Sequence, residues 1–350
     1  MSHRKVRANH EHTHPLHPHP PVRTVVDVPH LGPFDVMEVY EDGRGVYGRD
    51  GTMKIVFCPY LSAMWSSMKP LYEEHLAAGD DVRVMPLPYC VKYHDGTRSD
   101  FAVDEYPVPV TEPSIAFLEE WHPDRIYFHN PYDDHNFITM VDPRFFTKQL
   151  ASFTSDLVFV PYYTRGFTDG GDIETVIRSE GVRRANHIIV WSEAQKARYA
   201  SILCKYSVDW MDRLIIKERP SYQFKLMPEE WLLISQGRRL VMLGTSLCSL
   251  FGQRRGALDQ IAATIRRNQN DDICLVFRPH PLYIDTIKAM MPELEHQYIT
   301  ILDNFINLEQ GILDESADVE ESAYFCTEYI GNPSSIVAIF REQGKPITII

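Results

Sequence analysis

The stretch SAYFCTEYIGNPSSIVAIFREQGKPITII, residues Ser322–Ile350, decides the fold of this chain. Its run Ala323–Thr327 is short, apolar and aromatic, which is typical of a buried strand. The turn residues Gly331-Asn332-Pro333 follow, and after them comes an apolar helical segment that ends at Gly344. A second apolar run then covers Ile347–Ile350. The stretch therefore predicts a strand, a helix and a parallel strand joined by a right-handed crossover.

The predicted helix begins at Ser334 or Ser335, both good N-cap residues. In a parallel α/β unit the helix N-terminus points out of the carboxyl edge of the sheet, where its free N–H groups and the two hydroxyls suit an anion, usually phosphate. A serine that only caps the helix of an ordinary βαβ unit, with no ligand bound, explains the same residues. This segment alone does not decide between the two.

The rest of the chain repeats the alternation of short apolar runs and amphipathic segments, which predicts an α/β fold with parallel sheets. We expect strands at residues 54–58, 82–85, 125–129, 157–160 and 187–190, and a second series at 240–243 and 273–277. Residues 65–78 and 112–120 are predicted helices, and residues 299–323 a short strand, a turn and a small helix capped by Asp314 or Ser316.

Three regions follow from this pattern. Residues 1–52 form a His/Pro-rich tail with a short appended segment, and residues 53–222 an N-terminal Rossmann-like domain. Prolines 220 and 228 interrupt the rhythm between residues 217 and 236, so residues 223–350 form a second Rossmann-like domain. Alternating histidines in the tail could bind zinc or nickel, but the interleaved prolines favour a disordered tail.

Composition excludes several classes of function. The formal net charge of −13 argues against a nucleic-acid-binding protein, which needs a basic face. No apolar run approaches the roughly 20 residues of a membrane span, and the basic N-terminus lacks the apolar core of a signal peptide. The six cysteines show no CxxC spacing, so we expect a reduced, cytoplasmic protein.

Candidate ligand residues follow the strands of the second series, because ligands collect at the carboxyl ends of parallel strands. They form a hydroxyl loop, an Arg–His pair held between prolines and a serine-capped helix: Thr245, Ser246, Arg278, His280, Asn332, Ser334 and Ser335. A guanidinium can bind two phosphate oxygens and an imidazole can exchange a proton near neutral pH. The P-loop and GxSxG motifs do not occur, and no strand–GxGxxG–helix unit for a dinucleotide is evident.

The first series carries Pro-Tyr after its strands, at 59–60, 88–89, 131–132 and 161–162. In one interpretation these prolines only end the strands and the tyrosines cap the core. In the other, stiff loops present aromatic rings at one edge of the sheet, together with His129 and Asp133. Because Pro-Tyr recurs at four strand ends, the two interpretations are equally strong.

Over residues 54–350 the chain resembles the CDP-glycerol glycerophosphotransferase family of bacterial polymer synthesis. The resemblance lies in five segments and their order: PYLSAMW, HNPYD, VPYYT, RPHPL and YIGNPSSIVAIFREQGKP. The resemblance implies a GT-B-like fold, in which two Rossmann-like domains with parallel sheets face a cleft. It places Arg278 and His280 at the donor diphosphate, and Ser334 and Ser335, with Asn332, Thr245 and Ser246, at a donor phosphate. Tyr60, Tyr132, Asp133 and Tyr162 would lie on the acceptor side.

Three departures from the family keep alternatives open. The N-terminal histidine-glycine-threonine-proline motif is replaced by Pro161-Tyr162, so His129 is the stand-in for its catalytic base. Asn332 replaces the family's aspartate, and the sequence stops at the strand after GKP. The alternatives are a GT-B glycosyltransferase or epimerase that uses another nucleotide sugar, and a degenerate, non-catalytic nucleotide-binding protein.

The implied reaction transfers glycerol phosphate from CDP-glycerol to a hydroxyl or polyol-phosphate acceptor, with His280 and His129 as catalytic residues. Because no cluster of carboxylates is evident, we expect no metal and no cofactor. The family's usual acceptor is lipid-linked, which leaves peripheral contact with the inner face of the cell membrane open.

Overall fold

The protein, seen here as a computed structural model, is described at residues 51–162, 173–206, 209–217, 226–308, 311–316 and 318–350. Two parallel sheets dominate it, one of six strands and one of five. The predicted α/β fold is therefore confirmed. Residues 1–50 of the predicted tail, the glycine-rich loop 164–172 and residues 218–225 of the predicted domain junction lie outside the described residues.

The first half of the chain alternates strands and helices, with short 3-10 helices at Ser62–Ser67 and Pro143–Phe145. Its strands are β1 (Lys54–Cys58), β2 (Asp81–Val84), β3 (Tyr89–Val91), β4 (Arg125–Phe128), β5 (Thr139–Val141), β6 (Leu157–Phe159), β7 (His187–Val190) and β8 (Leu214–Ile216). Its helices are α1 (Lys69–Ala78), α2 (Ile115–Trp121), α3 (Thr147–Leu150), α4 (Ile173–Arg178), α5 (Glu180–Arg184), α6 (Glu193–Leu203) and α7 (Trp210–Arg213).

The second half continues the pattern, with one 3-10 helix at Pro292–Leu294. Its strands are β9 (Arg239–Gly244), β10 (Ile273–Arg278), β11 (Gly311–Leu313), β12 (Glu328–Gly331) and β13 (Ile347–Ile349). Its helices are α8 (Glu229–Ser235), α9 (Leu247–Gln253), α10 (Arg255–Arg267), α11 (Tyr283–Met290), α12 (Glu295–Ile306), α13 (Val319–Phe325) and α14 (Ser335–Glu342).

The strand order places a crevice in each sheet. The first sheet runs β2-β1-β4-β6-β7-β8 and the second β11-β10-β9-β12-β13, and every pair in them is parallel. The order reverses between β1 and β4 and between β9 and β12. Loops that leave neighbouring strands in opposite directions open a crevice there, which is where ligands bind in open α/β sheets.

Two predictions about the end of the chain are wrong. Residues 323–325, predicted as a strand, belong to helix α13, and strand β12 begins at Glu328. That helix is capped not by Asp314 or Ser316 but by Asp318, whose carboxylate accepts the amides of Glu320 and Glu321. Because this helix has only seven residues, its apolar residues form a short run that looks like a buried strand in the sequence.

The predicted βαβ unit itself is confirmed. Ser334 is the N-cap of α14, Gly344 follows the helix with φ of +65°, and β13 pairs with β12 in parallel. The antiparallel pair β3–β5 and the sixth strand, β8, were not predicted from the sequence. The short strand predicted within residues 299–323 is β11, and residues 299–306 complete helix α12.

The two halves pack against each other through apolar side chains. Leu282, at the start of α11, is buried in the core of the first half, and Leu247, at the start of α9, packs on the same core. Both residues follow strands of the second sheet closely. The carboxyl edge of the second sheet therefore lies against the first half, as the GT-B-like arrangement requires.

Candidate functional site

Loops after β9, β10 and β12 are hydrogen-bonded to one another at the crevice of the second sheet. The amide of His280 donates to Thr245 Oγ1 at 3.0 Å, and the amide of Ser246 donates to Asn332 Oδ1 at 3.1 Å. Thr245, Ser246 and Asn332 are all buried. Because each bond joins two different strand ends, the three predicted loops form one connected wall of the crevice.

The ends of β9 and β12 approach more closely than side chains allow. A Cβ atom at Gly331 would collide with the carbonyl oxygen of Gly244, and one at Gly244 would lie 2.6 Å from the ring of Tyr329. The Tyr329 hydroxyl donates to the carbonyl oxygen of Asn332 at 2.6 Å. Glycines at these two strand ends therefore allow the loops of the crevice to meet.

The helix after β12 presents the expected anion-binding features. Ser334, the N-cap of α14, makes no side-chain hydrogen bond to the helix. Its Oγ lies 3.3 Å from the hydroxyl of Tyr329, and Ser335 is exposed. The first-turn N–H groups of an α-helix have no intrahelical partners and carry partial positive charge, so they can donate to a phosphate.

Arg278 forms a buried ion pair. Its Nη1 donates to Asp314 Oδ2 at 2.6 Å and to Ser316 Oγ at 3.0 Å, and its Nη2 donates to the carbonyl oxygen of Ser316 at 2.8 Å. The arginine and aspartate side chains are only 6% and 1% exposed. The structure thus shows the predicted phosphate ligand tying the end of β10 to the loop after β11; direct contact with a donor stays a prediction.

His280 is a neutral hydrogen-bond donor in this conformation. Its Nδ1 accepts the amide of Leu282 at 3.1 Å, so the ring proton lies on Nε2. Burial lowers the pKa of His280 to about 4. At neutral pH the ring can therefore donate a hydrogen bond from Nε2 to a phosphate oxygen, without carrying a charge of its own.

A cavity of about 250 Å³ joins the two halves beside His280. Arg278, His280 and Asp285 line it from the second half, and Tyr89 and Asp104 line it from the first. The carboxylate of Asp104 accepts the amide of Ser62 at 2.8 Å and the hydroxyl of Tyr89 at 2.9 Å. This cavity confirms that the two sheets face a cleft.

Sequence reasoning missed Asp104 and Asp285, two of the four carboxyl groups that line this cavity. Burial raises the pKa of Asp285, and the negative charge of Asp104 raises it further, while Lys288 opposes the shift. A carboxyl group with a raised pKa is a better proton acceptor than an ordinary aspartate. Asp104 lies in a long loop far from any strand end, so no signal in the sequence indicated it.

His129, predicted as the stand-in base, lies deep in the first half. Its side chain is 0% exposed, and its Nε2 accepts the amide of Tyr60 at 2.7 Å. Burial lowers the pKa of His129 to about 3. In this conformation the imidazole connects the ends of β1 and β4, and its role as a base stays a prediction that requires a different arrangement of the ring.

The four predicted acceptor-side residues separate into two groups. Tyr60 is buried with its hydroxyl bonded to Thr139, and Asp133, at φ of +53°, accepts the amide and hydroxyl of Thr147 at 2.9 and 2.8 Å. Tyr132 and Tyr162 line a second cavity of about 1070 Å³ in the first half. The structure therefore brings only these two tyrosines to one open surface.

Within the described ranges, no three His, Cys, Asp or Glu side chains are grouped as a metal site would require. The expectation of a metal-independent protein stays a prediction. None of the described helices combines the length and the apolar character needed to cross a membrane.

No protein-family model matches the chain, and no curated protein matches its sequence. Similar solved structures include MnaA of S. aureus with UDP, at 12% identity and a TM-score of 0.48, covering 85% of this chain and 79% of that one. The UDP-GlcNAc 2-epimerase of Neisseria meningitidis bound to UDP-GlcNAc has 11% identity, a TM-score of 0.47 and coverages of 85% and 82%. The wall teichoic acid polymerase TagF has 12% identity, a TM-score of 0.45 and coverages of 85% and 69%. These similarities assign no activity and no site residue.

Proposed function

We propose that this protein is a transferase that moves glycerol phosphate from CDP-glycerol to a hydroxyl acceptor. The connected wall formed by the loops after β9, β10 and β12 carries this proposal, because it places hydroxyls, a neutral imidazole and a helix N-terminus around one crevice. These groups suit the diphosphate of a nucleotide donor. The order of RPHP, the serine pair and GKP in the sequence supports CDP-glycerol among such donors.

In the proposed reaction, a hydroxyl oxygen of the acceptor attacks the β-phosphorus of CDP-glycerol. A new phosphorus–oxygen bond forms, the bond from the β-phosphorus to the bridging oxygen breaks, and CMP leaves with that electron pair. The hydroxyl proton passes to a base. Positioning and stabilisation of charge carry such transfers, because they require little covalent chemistry from the protein.

The residues of the wall would share these tasks. The N–H groups at the start of α14, with the hydroxyls of Ser334 and Ser335, would bind the donor phosphate. His280 would donate from Nε2 to an oxygen of the diphosphate, and Arg278 would hold the loop after β11 in place. Asp285, across the cavity from Asp104, would take the proton of the acceptor hydroxyl, a role that the sequence prediction gave to His129.

Thermal unfolding with a panel of nucleotides tests the donor. CDP-glycerol and CMP at about 100 times their dissociation constants should stabilise the protein by roughly 2.7 kcal/mol, whereas UDP-GlcNAc and GDP-mannose should have no effect. A Ser334→Ala/Ser335→Ala variant should lose this stabilisation. The matched control is Ser201→Ala, a change at an exposed serine on α6, which should retain it.

Two outcomes favour the other candidate functions. Stabilisation by a uridine or guanosine sugar, with release of the corresponding diphosphate, would refute CDP-glycerol as donor and indicate a glycosyltransferase or epimerase. Binding of CMP without release of CMP from CDP-glycerol, over a range of acceptors, would indicate a non-catalytic nucleotide-binding protein. The enclosed position of His129 is the observation that favours this last candidate.

A further inference from the structure

Tyr329, the second residue of β12, connects the loops of the second crevice to helix α14. The residue is 0% exposed, and its ring runs along the sheet towards the end of the strand. A Cβ atom at Gly244 would lie 2.6 Å from this ring, and one at Gly331 would lie 2.7 Å from the hydroxyl oxygen. The two glycines are register partners in β9 and β12, so together they make room for this one side chain.

The position of the single hydroxyl proton of Tyr329 follows from its two partners. The hydroxyl donates to the carbonyl oxygen of Asn332 at 2.6 Å, since a carbonyl group can only accept. Ser334 Oγ lies 3.3 Å from the same hydroxyl, so Ser334 must be the donor in this second contact. Burial raises the pKa of Tyr329 to about 12, so the phenol keeps its proton at neutral pH. The hydroxyl proton of Ser334 is therefore committed to Tyr329.

The acceptor of the Tyr329 proton is itself held in place. The backbone amide of Asn332 donates to the carbonyl oxygen of Gly244 at 3.1 Å. Its Oδ1 accepts the amide of Ser246 at 3.1 Å, and its Nδ2 donates to the carbonyl oxygen of Ile350 at 3.3 Å. Asn332 thus ties together the ends of β9, β12 and β13 and presents a fixed carbonyl group to Tyr329.

The ring of Tyr329 also contacts the far end of α14. Its centroid lies 5.5 Å from that of Phe340, a buried residue in the last turn of the helix. Tyr329 therefore touches α14 at the N-cap, Ser334, and again at Phe340. Two separate contacts fix the direction of a helix axis, and with it the direction of the free N–H groups of the first turn.

We propose that Tyr329 is a positioning residue for an anion at the start of α14, and that the two adjacent serines have different tasks. Ser334 holds the start of the helix on Tyr329, whereas Ser335, exposed at the first helical position, offers its hydroxyl proton to the anion. The inference rests on the proposed function for the identity of this anion, the diphosphate of the donor. It deepens that function, because a side chain that no ligand touches sets the affinity for the donor by holding its binding groups in place before it arrives.

Isothermal titration calorimetry with inorganic pyrophosphate and, separately, with CDP-glycerol tests this role, at a temperature at which every variant is folded. Tyr329→Phe removes only the hydroxyl, so we expect its Kd for both probes to rise about tenfold. The matched control is Tyr127→Phe in β4, which removes another buried hydroxyl with two hydrogen-bond partners and should leave both Kd values unchanged. Both variants should lose stability, so a change in Kd confined to Tyr329→Phe separates positioning from general destabilisation.

A double-mutant cycle on pyrophosphate binding assigns the two serines. Ser334→Ala should weaken binding in the wild-type background and have no further effect together with Tyr329→Phe, because both changes break the same hydrogen bond. Ser335→Ala should weaken binding by the same factor in both backgrounds, because its hydroxyl acts on the anion independently of Tyr329.

Three results would overturn the inference: wild-type affinity in Tyr329→Phe, an equal loss of affinity in Tyr127→Phe, or an effect of Ser334→Ala that is the same in both backgrounds. Pyrophosphate binding with the expected coupling, but without binding of CDP-glycerol, would refute the proposed donor and leave the role of Tyr329 standing. Binding of CDP-glycerol that Tyr329→Phe does not weaken would refute the role of Tyr329 alone. If neither probe binds, both are refuted.

Discussion

The buried ion pair between Arg278 and Asp314 should contribute strongly to stability in the absence of any ligand. Replacing Arg278 with Met would leave the Asp314 carboxylate, 1% exposed, without its 2.6 Å partner. Removing one member of a buried pair costs about 3–5 kcal/mol, because the remaining charge keeps its desolvation penalty. We therefore expect Arg278→Met to lower the free energy of unfolding by about that amount.

Urea unfolding of the ligand-free protein measures this cost, and a double-mutant cycle assigns it. The combination of Arg278→Met with Asp314→Asn removes both charges, so its loss should be smaller than the sum of the two single losses, by about 1–3 kcal/mol. Arg239→Met is the matched control: this arginine pairs with Glu328 at 2.6 Å but is 47% exposed, so its loss should stay below about 1 kcal/mol. The reasoning would be refuted if Arg278→Met lowered the free energy of unfolding by less than 1 kcal/mol, or if the losses of the two single variants simply added up in the double variant. Arg278 would then be available to bind the donor directly.

Three further changes test other parts of the structure by thermal unfolding. Asn332→Asp places a carboxyl group in the buried position that accepts the Ser246 amide, and burial should raise the pKa of this carboxyl group above the ordinary value near 4. The free energy of unfolding of the variant should therefore fall by about 1–3 kcal/mol relative to wild type as pH rises from 4 to 8. A difference in stability that does not depend on pH would contradict this. Gly331→Ala should cost about 1–3 kcal/mol because its Cβ would collide with the Gly244 carbonyl, whereas Gly252→Ala, where a Cβ meets no atom within 4 Å, should cost nothing. Burial alone would raise the pKa of Asp156, but the hydrogen bonds from His187 and Arg125 lower it, so the contribution of Asp156 to stability is present above pH 4 and is lost as pH falls further. Asp156→Asn should therefore be less stable than wild type at pH 7, and this difference in stability should narrow in acid. A difference that stays constant with pH would mean that the two partners contribute nothing.

The strands show how far local pattern reaches. Lys54–Cys58 and His187–Val190 were predicted with the bounds that the structure has, because buried parallel strands are continuous apolar runs that turn residues interrupt. The end of helix α13, residues 323–325, was predicted as the start of a strand, because apolar and aromatic residues show no helical periodicity over so few positions. Antiparallel pairing of β3 with β5 depends on contacts between residues some fifty positions apart, which no local pattern reveals.

The candidate site shows the same division. Thr245, Ser246, His280 and Asn332 were predicted individually from their positions after strands, and the structure joins them by hydrogen bonds. Asp104 and Asp285 were not predicted, because what makes them notable is their shared cavity and not the residues beside them in sequence. The partner of Arg278 could not be predicted either, since Asp314 lies 36 positions further along the chain.

The sequence by itself determined the alternation of strands and helices, and with it the parallel sheets and the edge at which chemistry belongs. Burial of apolar side chains and turn chemistry act over a few residues, so they are readable locally. The tertiary structure alone decided which side chains face a ligand and which are occupied by one another. It placed His129 in the core, Arg278 on Asp314 and the ring of Tyr329 against Gly244, because desolvation, charge pairing and packing depend on distances between residues that are far apart in the chain.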